Sequence, residues 1–532
     1  MLNKTHPALL FLRKYFLYLL LAVVVLVTIG RGLVPSETMF VFHDRTQFAR
    51  IIEFTYSIQT LHIPPVYAPH FNFGIGYPIF LFYAPFAYWV SAGLYLLGTG
   101  VVNSVKLSML FALIVGSWGM YAWLARRYAK PAAFVGALLF VSSPWYASEI
   151  FVRGNLATVW FLALAPWSLW ALTAFRQRKI VASLLIAATL LTHNALSIIW
   201  VFILSAYGTL GYARHRTKRM KLLVFSVIVS GIFWVPALLQ LGQTHATEIA
   251  KLTNFKDHFL CIEQIWTTST WGFGGSTQGC VEDGMSFMLG KFQILLAVLG
   301  ITLGPFIIKR RRPLLLEGLI AVWAIFLTLA DAQPFWEIAK PLQVVQFPWR
   351  FLSIALIFIS ALGAAGIQIL IEHISMVCAK DKLGLNKLYK SKVTKVVLSI
   401  ASIFPMRRAL NKGLVLPPLA QTLYTTVCAV IAVGILIFSL KYFSGRLMPI
   451  REVENQFASS DYIWSSAAYD VPEYVPKSVD YVYWQSFRTK QPESKDMQKL
   501  AMDFAEFQPN TVYQMAGSAL AIVGIILIIC LL

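Results

Sequence analysis

Three charged residues stand beside long apolar runs, where they could act on a phosphate-bearing substrate. Asp44 follows the first run, Arg153 precedes the fourth and Arg350 opens the tenth. A carboxylate at the membrane–water boundary can take a proton from an incoming hydroxyl, and the fork of an arginine matches phosphate oxygens. Two simpler roles stay open: Asp44 could cap the helix that follows it, and either arginine could contact lipid headgroups.

Polar and aromatic residues that could hydrogen-bond a sugar or a phosphate accompany these three. They are His43, His70, Asn72, Asn155, His193, Asn194 and Trp349. Simpler structural interpretations exist here too, since Gly/Pro loops are usually turns, a histidine at a helix end can bond a carbonyl, and tryptophan commonly anchors at the interface. The set is informative because all of it falls on one predicted face of a membrane.

The composition is that of a polytopic membrane protein. Of 532 residues, 58% are hydrophobic and 13% are charged, about half the charged fraction of an average soluble domain. The net charge of +21 comes from 45 Lys and Arg against 24 Asp and Glu. Because the basic residues cluster in short loops between apolar runs, they follow the positive-inside rule, and we expect no binding of nucleic acid.

Twelve apolar runs predict an all-α polytopic fold with about twelve transmembrane helices. The runs are 14–34, 103–125, 131–148, 156–175, 180–194, 196–213, 221–240, 288–308, 314–331, 350–372, 418–440 and 513–532. With the N-terminus in the cytoplasm, every basic cluster falls on the cytoplasmic side and the C-terminus returns there. The first run is long for a signal peptide and lacks a small-residue cleavage site, so we expect it to be retained in the cell (inner or plasma) membrane.

The run 77–98 is apolar enough to span, but a full crossing there would move every later basic loop to the outer side. Its prolines and its aromatic side chains, among them Tyr83, Tyr88 and Trp89, favour the headgroup level. We therefore expect an interfacial or partly embedded hairpin within one large outer loop. A crossing compensated by a missed span elsewhere stays open.

The predicted organisation is a transmembrane core over 1–372, a basic cytoplasmic loop over 373–417, a transmembrane helix over 418–440, an extracytoplasmic cap over 441–512 and a C-terminal transmembrane helix over 513–532. The core carries two large outer loops, 35–102 and 241–287. In the first, apolar residues at helical spacing between Asp44 and Pro64 predict a helix that lies in the interface with its apolar face in the lipid.

The five cysteines indicate at most one disulfide. Cys261 and Cys280 share an outer loop, so they form the plausible pair if the outer face is oxidising. Neither a CxxC nor an HExxH motif occurs in the sequence. We therefore expect no metal site and no cofactor.

The chain resembles the GT-C superfamily of membrane glycosyltransferases, in which an acidic residue in a large outer loop follows the first helix. Within that superfamily it is similar to a prokaryotic integral membrane family labelled 6-pyruvoyl-tetrahydropterin synthase-related. The likeness is carried by His43-Asp44, Pro64-Pro65, Gly74-Ile-Gly-Tyr-Pro78, Arg153-Gly154, Thr192-His193-Asn194 and Gln346-Phe-Pro-Trp-Arg-Phe351. Nothing in the sequence resembles the zinc histidines of the soluble pterin enzyme.

The resemblance implies an inverting glycosyltransferase. It would move a sugar from a polyprenyl-phosphate donor to the hydroxyl of a glycan, lipid or protein acceptor on the extracytoplasmic face, with Asp44 as general base and no metal. In the family, Glu follows the Arg-Gly pair shortly, whereas this chain has Thr158 there. Two alternatives stay open: a non-catalytic scaffold of the same fold, and a transporter or flippase of lipid-linked glycans, which would need facing polar residues at mid-membrane depth.

Overall fold

The computed structural model describes residues 7–176, 178–212, 214–246, 248–249, 254–267, 276, 284–309, 311–379 and 418–531, and these are mostly helical. Helices of eight or more residues are numbered in chain order. The first eight are α1 (Pro7–Val27), α2 (Gln47–Gln59), α3 (Phe86–Leu96), α4 (Val101–Leu124), α5 (Lys130–Val141), α6 (Leu156–Ala174), α7 (Lys179–Leu190) and α8 (Asn194–Ala206). The others are α9 (Arg216–Leu241), α10 (Lys291–Ile307), α11 (Arg311–Phe326), α12 (Phe351–Ala379), α13 (Pro418–Ser439), α14 (Ile450–Phe457), α15 (Ser494–Ala505) and α16 (Thr511–Leu531).

Each of the twelve predicted spans coincides with a helix or with consecutive helical pieces. Seven helices are long and apolar enough to cross a membrane: α4, α6, α8 with its continuation to Gly211, α9, α12, α13 and α16. The helices α1, α7 and α10 are shorter in their apolar parts. The protein is therefore a multi-pass membrane protein, and the count of twelve crossings stays a prediction.

The central helix of the bundle is α12, whose side chains are almost all buried, whereas most side chains of α13 and α16 are exposed. Close packing of α12 on α10 depends on a glycine. A Cβ on Gly300 would lie 2.0 Å from the carbonyl oxygen of Leu362, so the two backbones approach more closely than any side chain would allow.

A break after α5 carries charged side chains to one end of the bundle. The segment Pro144–Val152 is bent by 44° from α5, because Pro144 has no backbone N–H with which to continue a helical ladder. Its last turn, Ser148–Val152, is a π-helix, a widening that is frequent at functional sites. This turn presents Glu149 and ends directly before Arg153.

The predicted interfacial helix α2 exists, but the expectation that its apolar face lies in lipid is wrong. Phe48, Ile51 and Phe54 are buried in the protein core. The rest of the first outer loop folds over them, and the Phe54 ring meets the rings of Phe80 at 5.0 Å and Trp89 at 5.1 Å. The helix α3 in that loop has 11 residues and is about 16 Å long, roughly half of a bilayer core.

The segment predicted as a cap, 441–512, folds into short helices and is joined to the core by a two-stranded ribbon. The strand β1 (Thr38–Phe40) pairs antiparallel with β2 (Leu447–Pro449). Inside the cap, the rings of Tyr469 and Trp484 stack with centroids 4.3 Å apart. Most of the predicted basic loop 373–417, from 380 onwards, lies outside the described residues.

Candidate functional site

Paired backbones hold Asp44 beside Arg153. The Asp44 N–H donates to the Arg153 carbonyl at 3.0 Å. Gly154 makes this approach possible, because its φ is +64° and a Cβ there would lie 2.1 Å from Cδ2 of Phe42. The glycine that follows Arg153 is therefore required by the contact that fixes the acid next to the arginine.

The Asp44 carboxylate is oriented by the first turn of α2. Its Oδ1 accepts from the Thr46 hydroxyl at 3.0 Å, its Oδ2 accepts from the Gln47 amide at 2.6 Å, and Arg50 lies 3.5 Å from Oδ1. The N-cap of α2 is Thr46, so the alternative role of Asp44 as the cap of this helix is wrong. The side chain stays 21% exposed, which leaves it open to a ligand.

A second layer of polar contacts fixes the groups that touch Asp44. The Arg50 guanidinium donates to the Tyr88 hydroxyl at 3.1 Å and lies over the Tyr83 ring, 4.8 Å from its centroid. The Tyr88 hydroxyl donates in turn to Gln47 Oε1 at 2.9 Å, which sets the orientation of the Gln47 amide toward Asp44. The tyrosines of the segment 77–98 thus position the acid.

Arg153 is a neutralised cation. Its Nη1 lies 2.7 Å from both carboxylate oxygens of Glu149, and its guanidinium lies 4.4 Å from the centroid of the Trp349 ring. Glu149 is fully buried, as is Thr158. The acidic neighbour of this arginine therefore precedes it by four residues, in place of the glutamate that the family resemblance led us to seek near Thr158.

Arg350, in contrast, has no carboxylate partner among the described residues. Its Nη1 donates to the Val345 carbonyl at 2.6 Å and lies 3.4 Å from Gln346 Oε1, and its guanidinium covers the Phe347 ring at 4.8 Å. Its Nε is buried and, within the described part of the chain, has no hydrogen-bond partner. A partly buried cation of this kind favours an anionic ligand.

His193 supplies a neutral imidazole in the turn between α7 and α8, outside the spanning helices. Its Nδ1 accepts from the Leu196 N–H at 3.3 Å, which places the proton of the neutral ring on Nε2. Burial lowers the pKa of His193 well below its ordinary value, and the charges of Arg350 and Arg153 lower it further. The same charges show that these three residues share one space.

Two of the predicted asparagine ligands are engaged in local structure. Asn155 caps α6, because its Oδ1 accepts from the Thr158 N–H at 3.0 Å. The Asn194 amide accepts from the Ala84 N–H at 3.0 Å and donates to the Phe82 carbonyl at 2.6 Å. Asn194 therefore ties the start of α8 to the first outer loop.

The remaining predicted polar ligands also make contacts within the fold. His70 pairs with the buried Glu53, with Nδ1 2.8 Å from Oε1. Asn72 is buried, and its Oδ1 accepts from Nε1 of Trp484 at 2.9 Å. The His43 N–H donates at 3.0 Å to the carbonyl of the residue before Arg153. The structure thus brings together Asp44, Arg153, His193, Trp349 and Arg350, and does not bring His70 or Asn72 to them.

Sequence reasoning missed Arg50, Glu149 and Glu473. Glu149 had a detectable signal, since it lies four residues before Arg153 within one helical segment. Arg50 falls in the amphipathic helix α2, where a charge is ordinarily attributed to a solvated face. Glu473 had no local signal, because only the folding of the cap brings it to the other charged groups.

Metal-ligating and cysteine residues add little to the site. Within the described ranges, no group of three or more His, Cys, Asp and Glu side chains is close enough to hold a metal ion. Cys261 is disulfide-bonded, and its predicted partner Cys280 lies outside the described residues. Cys428 and Cys530 are free.

Comparisons with known proteins place the fold. A family model described as "6-pyruvoyl-tetrahydropterin synthase related domain; membrane protein" matches residues 80–403. No match was found among curated protein sequences. Among solved structures, the chain is similar to the oligosaccharyltransferase of Archaeoglobus fulgidus tethered to an acceptor peptide, with 12% identity and a TM-score of 0.50 over 92% of this chain and 59% of that one.

Two further membrane glycosyltransferase structures are similar at lower TM-scores. The arabinofuranosyltransferase AftD from mycobacteria has 14% identity and a TM-score of 0.45, over 80% of this chain and 26% of that one. ArnT from Cupriavidus metallidurans bound to undecaprenyl phosphate has 14% identity and a TM-score of 0.40, over 93% of this chain and 78% of that one. The chain thus spans less than two-thirds of the oligosaccharyltransferase and about a quarter of AftD, and the likeness concerns the fold.

Proposed function

The chain belongs to the 6-pyruvoyl-tetrahydropterin synthase-related family of membrane proteins, and we propose that it is an inverting glycosyltransferase. In this proposal, it moves a sugar from a polyprenyl-phosphate donor to an acceptor hydroxyl on the extracytoplasmic face. The observation that carries the proposal is the juxtaposition of an oriented, partly exposed carboxylate on Asp44 with the paired Arg153 and the unpaired Arg350.

The proposed reaction is a single displacement at the anomeric carbon. Asp44 takes the proton of the acceptor hydroxyl as the acceptor oxygen forms its bond to that carbon. The bond between the anomeric carbon and the phosphate oxygen breaks, and the lipid phosphate leaves with the electron pair. Arg350 and Arg153 stabilise the charge of the leaving phosphate, and the neutral His193 donates a hydrogen bond to it. Attack opposite to the leaving group inverts the configuration.

A cavity beside the charged cluster supports a lipid-linked donor. It has a volume of about 330 Å³ and lies between the first outer loop, α9 and α16, with Phe54, Trp89, Leu191 and Phe233 among the residues of its almost wholly apolar wall. Leu191 stands two residues before His193, so the cavity adjoins the phosphate-binding groups. An isoprenoid chain in this cavity would place its phosphate at the arginines.

Donor hydrolysis by purified protein tests the proposal before any acceptor is known. The release of undecaprenyl phosphate from undecaprenyl-phosphate glucose, mannose or N-acetylglucosamine is measured for the wild type, Asp44→Asn and the control Asp331→Asn, which changes an exposed aspartate elsewhere. We expect slow hydrolysis by the wild type and the control and a loss of about 100-fold or more in Asp44→Asn. Binding of undecaprenyl phosphate without turnover in the wild type would favour a scaffold or a transporter, and no binding would refute the donor class.

A further inference from the structure

The turn of the cap that carries Glu473 is fixed against the first outer loop. The Tyr474 N–H donates to the Tyr77 hydroxyl at 3.1 Å, and that hydroxyl donates to the Val471 carbonyl at 2.5 Å. The Tyr474 ring stacks on Phe82 with centroids 5.2 Å apart. Because these contacts flank Glu473 on both sides, its backbone position is set by the docking of the cap.

The Glu473 carboxyl group lies within electrostatic reach of both halves of the charged site. Burial raises the pKa of Glu473; a hydrogen bond from its own backbone N–H and the charges of Arg50 and Arg350 oppose that rise, and the charge of Asp44 adds to it. Arg50 belongs to the group that orients Asp44, and Arg350 is the unpaired cation. The cap therefore contributes a third carboxylate to the space between them, in addition to Asp44 and Glu149.

One oxygen of that carboxylate lacks a hydrogen-bond donor. Glu473 Oε2 is buried and has no partner within the part of the chain that the structure describes. The ion pairs among the same residues do not include Glu473, although they include Glu149 with Arg153. Since a buried acceptor without a donor is unfavourable, the position of Glu473 suits a donor group that arrives with a ligand.

We propose that Glu473 is a substrate-binding residue that accepts a hydrogen bond from a hydroxyl group of the sugar carried by the lipid phosphate. This inference rests on the proposed function, since it concerns the sugar of the same donor. An ionised carboxylate offers only acceptors, so it binds hydroxyl groups and repels phosphate. Arg350 attracts phosphate, and the two residues divide the site into a phosphate end and a sugar end, the latter completed by the cap.

The alternative role of Glu473 is that of a counter-charge for Arg50 and Arg350. The two roles make opposite predictions for a lipid phosphate without a sugar. If Glu473 only offsets positive charge, its neutralisation strengthens the binding of any anion, and the contribution of the sugar to affinity is unchanged. If Glu473 holds a sugar hydroxyl, its neutralisation removes affinity that depends on the sugar.

Binding measurements on the full-length protein in nanodiscs distinguish the two roles. The probes are undecaprenyl phosphate alone and undecaprenyl phosphate carrying glucose, mannose or N-acetylglucosamine. The proteins are the wild type, Glu473→Gln, Glu473→Asp and the control Glu452→Gln, which changes an exposed glutamate of the same cap. We expect at least one sugar conjugate to bind the wild type and the control more tightly than the bare lipid does. In Glu473→Gln that gain should fall at least about tenfold, bare-lipid affinity should be retained or increased, and Glu473→Asp should recover part of the gain.

Every other result overturns the inference. It is wrong if Glu473→Gln keeps the sugar-dependent gain, if no conjugate exceeds the bare lipid in the wild type, or if the bare lipid loses affinity equally. The melting temperature of each variant shows whether it is folded, and Glu473→Asp, which retains the carboxylate, serves as the folded comparison. A wild type that does not bind undecaprenyl phosphate refutes the proposed function and this inference together, whereas normal wild-type binding with an unaffected Glu473→Gln refutes only the inference.

Discussion

Removal of the Glu149 carboxylate tests whether Arg153 is kept neutralised until a phosphate arrives. The Arg153 Nη1 lies 2.7 Å from both oxygens of Glu149, Glu149 is fully buried and the arginine is 11% exposed. The loss of one partner from a buried pair typically costs about 3–5 kcal/mol. With roughly 2.1 cal/mol/K of unfolding entropy for each of 532 residues, this cost lowers the melting temperature of Glu149→Gln by about 3–4 °C.

The assay is thermal unfolding in one detergent, with and without undecaprenyl phosphate. Without lipid, Glu149→Gln should melt below the wild type, and saturating lipid should raise its melting temperature by more than it raises that of the wild type, because the phosphate replaces the missing negative charge. The control is Glu337→Gln, whose partner Lys256 and own side chain are each 44% exposed and whose melting temperature should change by less than about 1 °C. A wild-type melting temperature for Glu149→Gln, or a smaller lipid effect than in the wild type, would refute this reasoning.

Three further changes test the geometry of the site. Gly154→Ala should slow donor hydrolysis at least about tenfold, because its Cβ would lie 2.1 Å from Phe42, whereas Gly98→Ala, with φ +84° and open space around it, imposes similar backbone strain without the clash and should keep the rate. Arg350→Gln should weaken the binding of bare undecaprenyl phosphate about 10- to 100-fold in a titration, and unchanged affinity would contradict its role. His193 has a depressed pKa, so the unfolded chain binds the extra proton and stability falls as the pH drops below 6.5, by up to about 1.4 kcal/mol per pH unit. His193→Asn, which can still cap α8, should lessen this loss in melting curves at several pH values, and an unchanged pH dependence would count against the buried neutral imidazole.

Much of the fold could be predicted from the sequence because membrane helices leave a local record. Each apolar run that was identified falls on a helix, since the bilayer demands internally satisfied backbones over about 20 residues. The resemblance to the family is confirmed by the match over residues 80–403. The side of α2 was not predictable, because its amphipathic pattern is the same whether lipid or protein covers Phe48 and Phe54.

The site was predictable where a residue stands at the end of an apolar run. Asp44, Arg153 and Arg350 were found in this way, and the fold brings them together from three separate loops. The partners that set their charges could not be found from local patterns alone. Glu149 lies inside a span broken by Pro144, and Glu473 reaches the site through the docked cap, so both depend on long-range packing.

The most direct test of the account measures binding and turnover on the same sample of Asp44→Asn. The substitution keeps the size of the side chain and removes its ability to accept a proton. The account predicts that Asp44→Asn binds undecaprenyl phosphate with wild-type affinity, because the phosphate end of the site is formed by Arg350 and Arg153, while release of lipid phosphate from a sugar conjugate falls by about 100-fold or more. Turnover at the wild-type rate in a variant with unchanged binding would contradict the central claim that Asp44 is the general base of a glycosyl transfer.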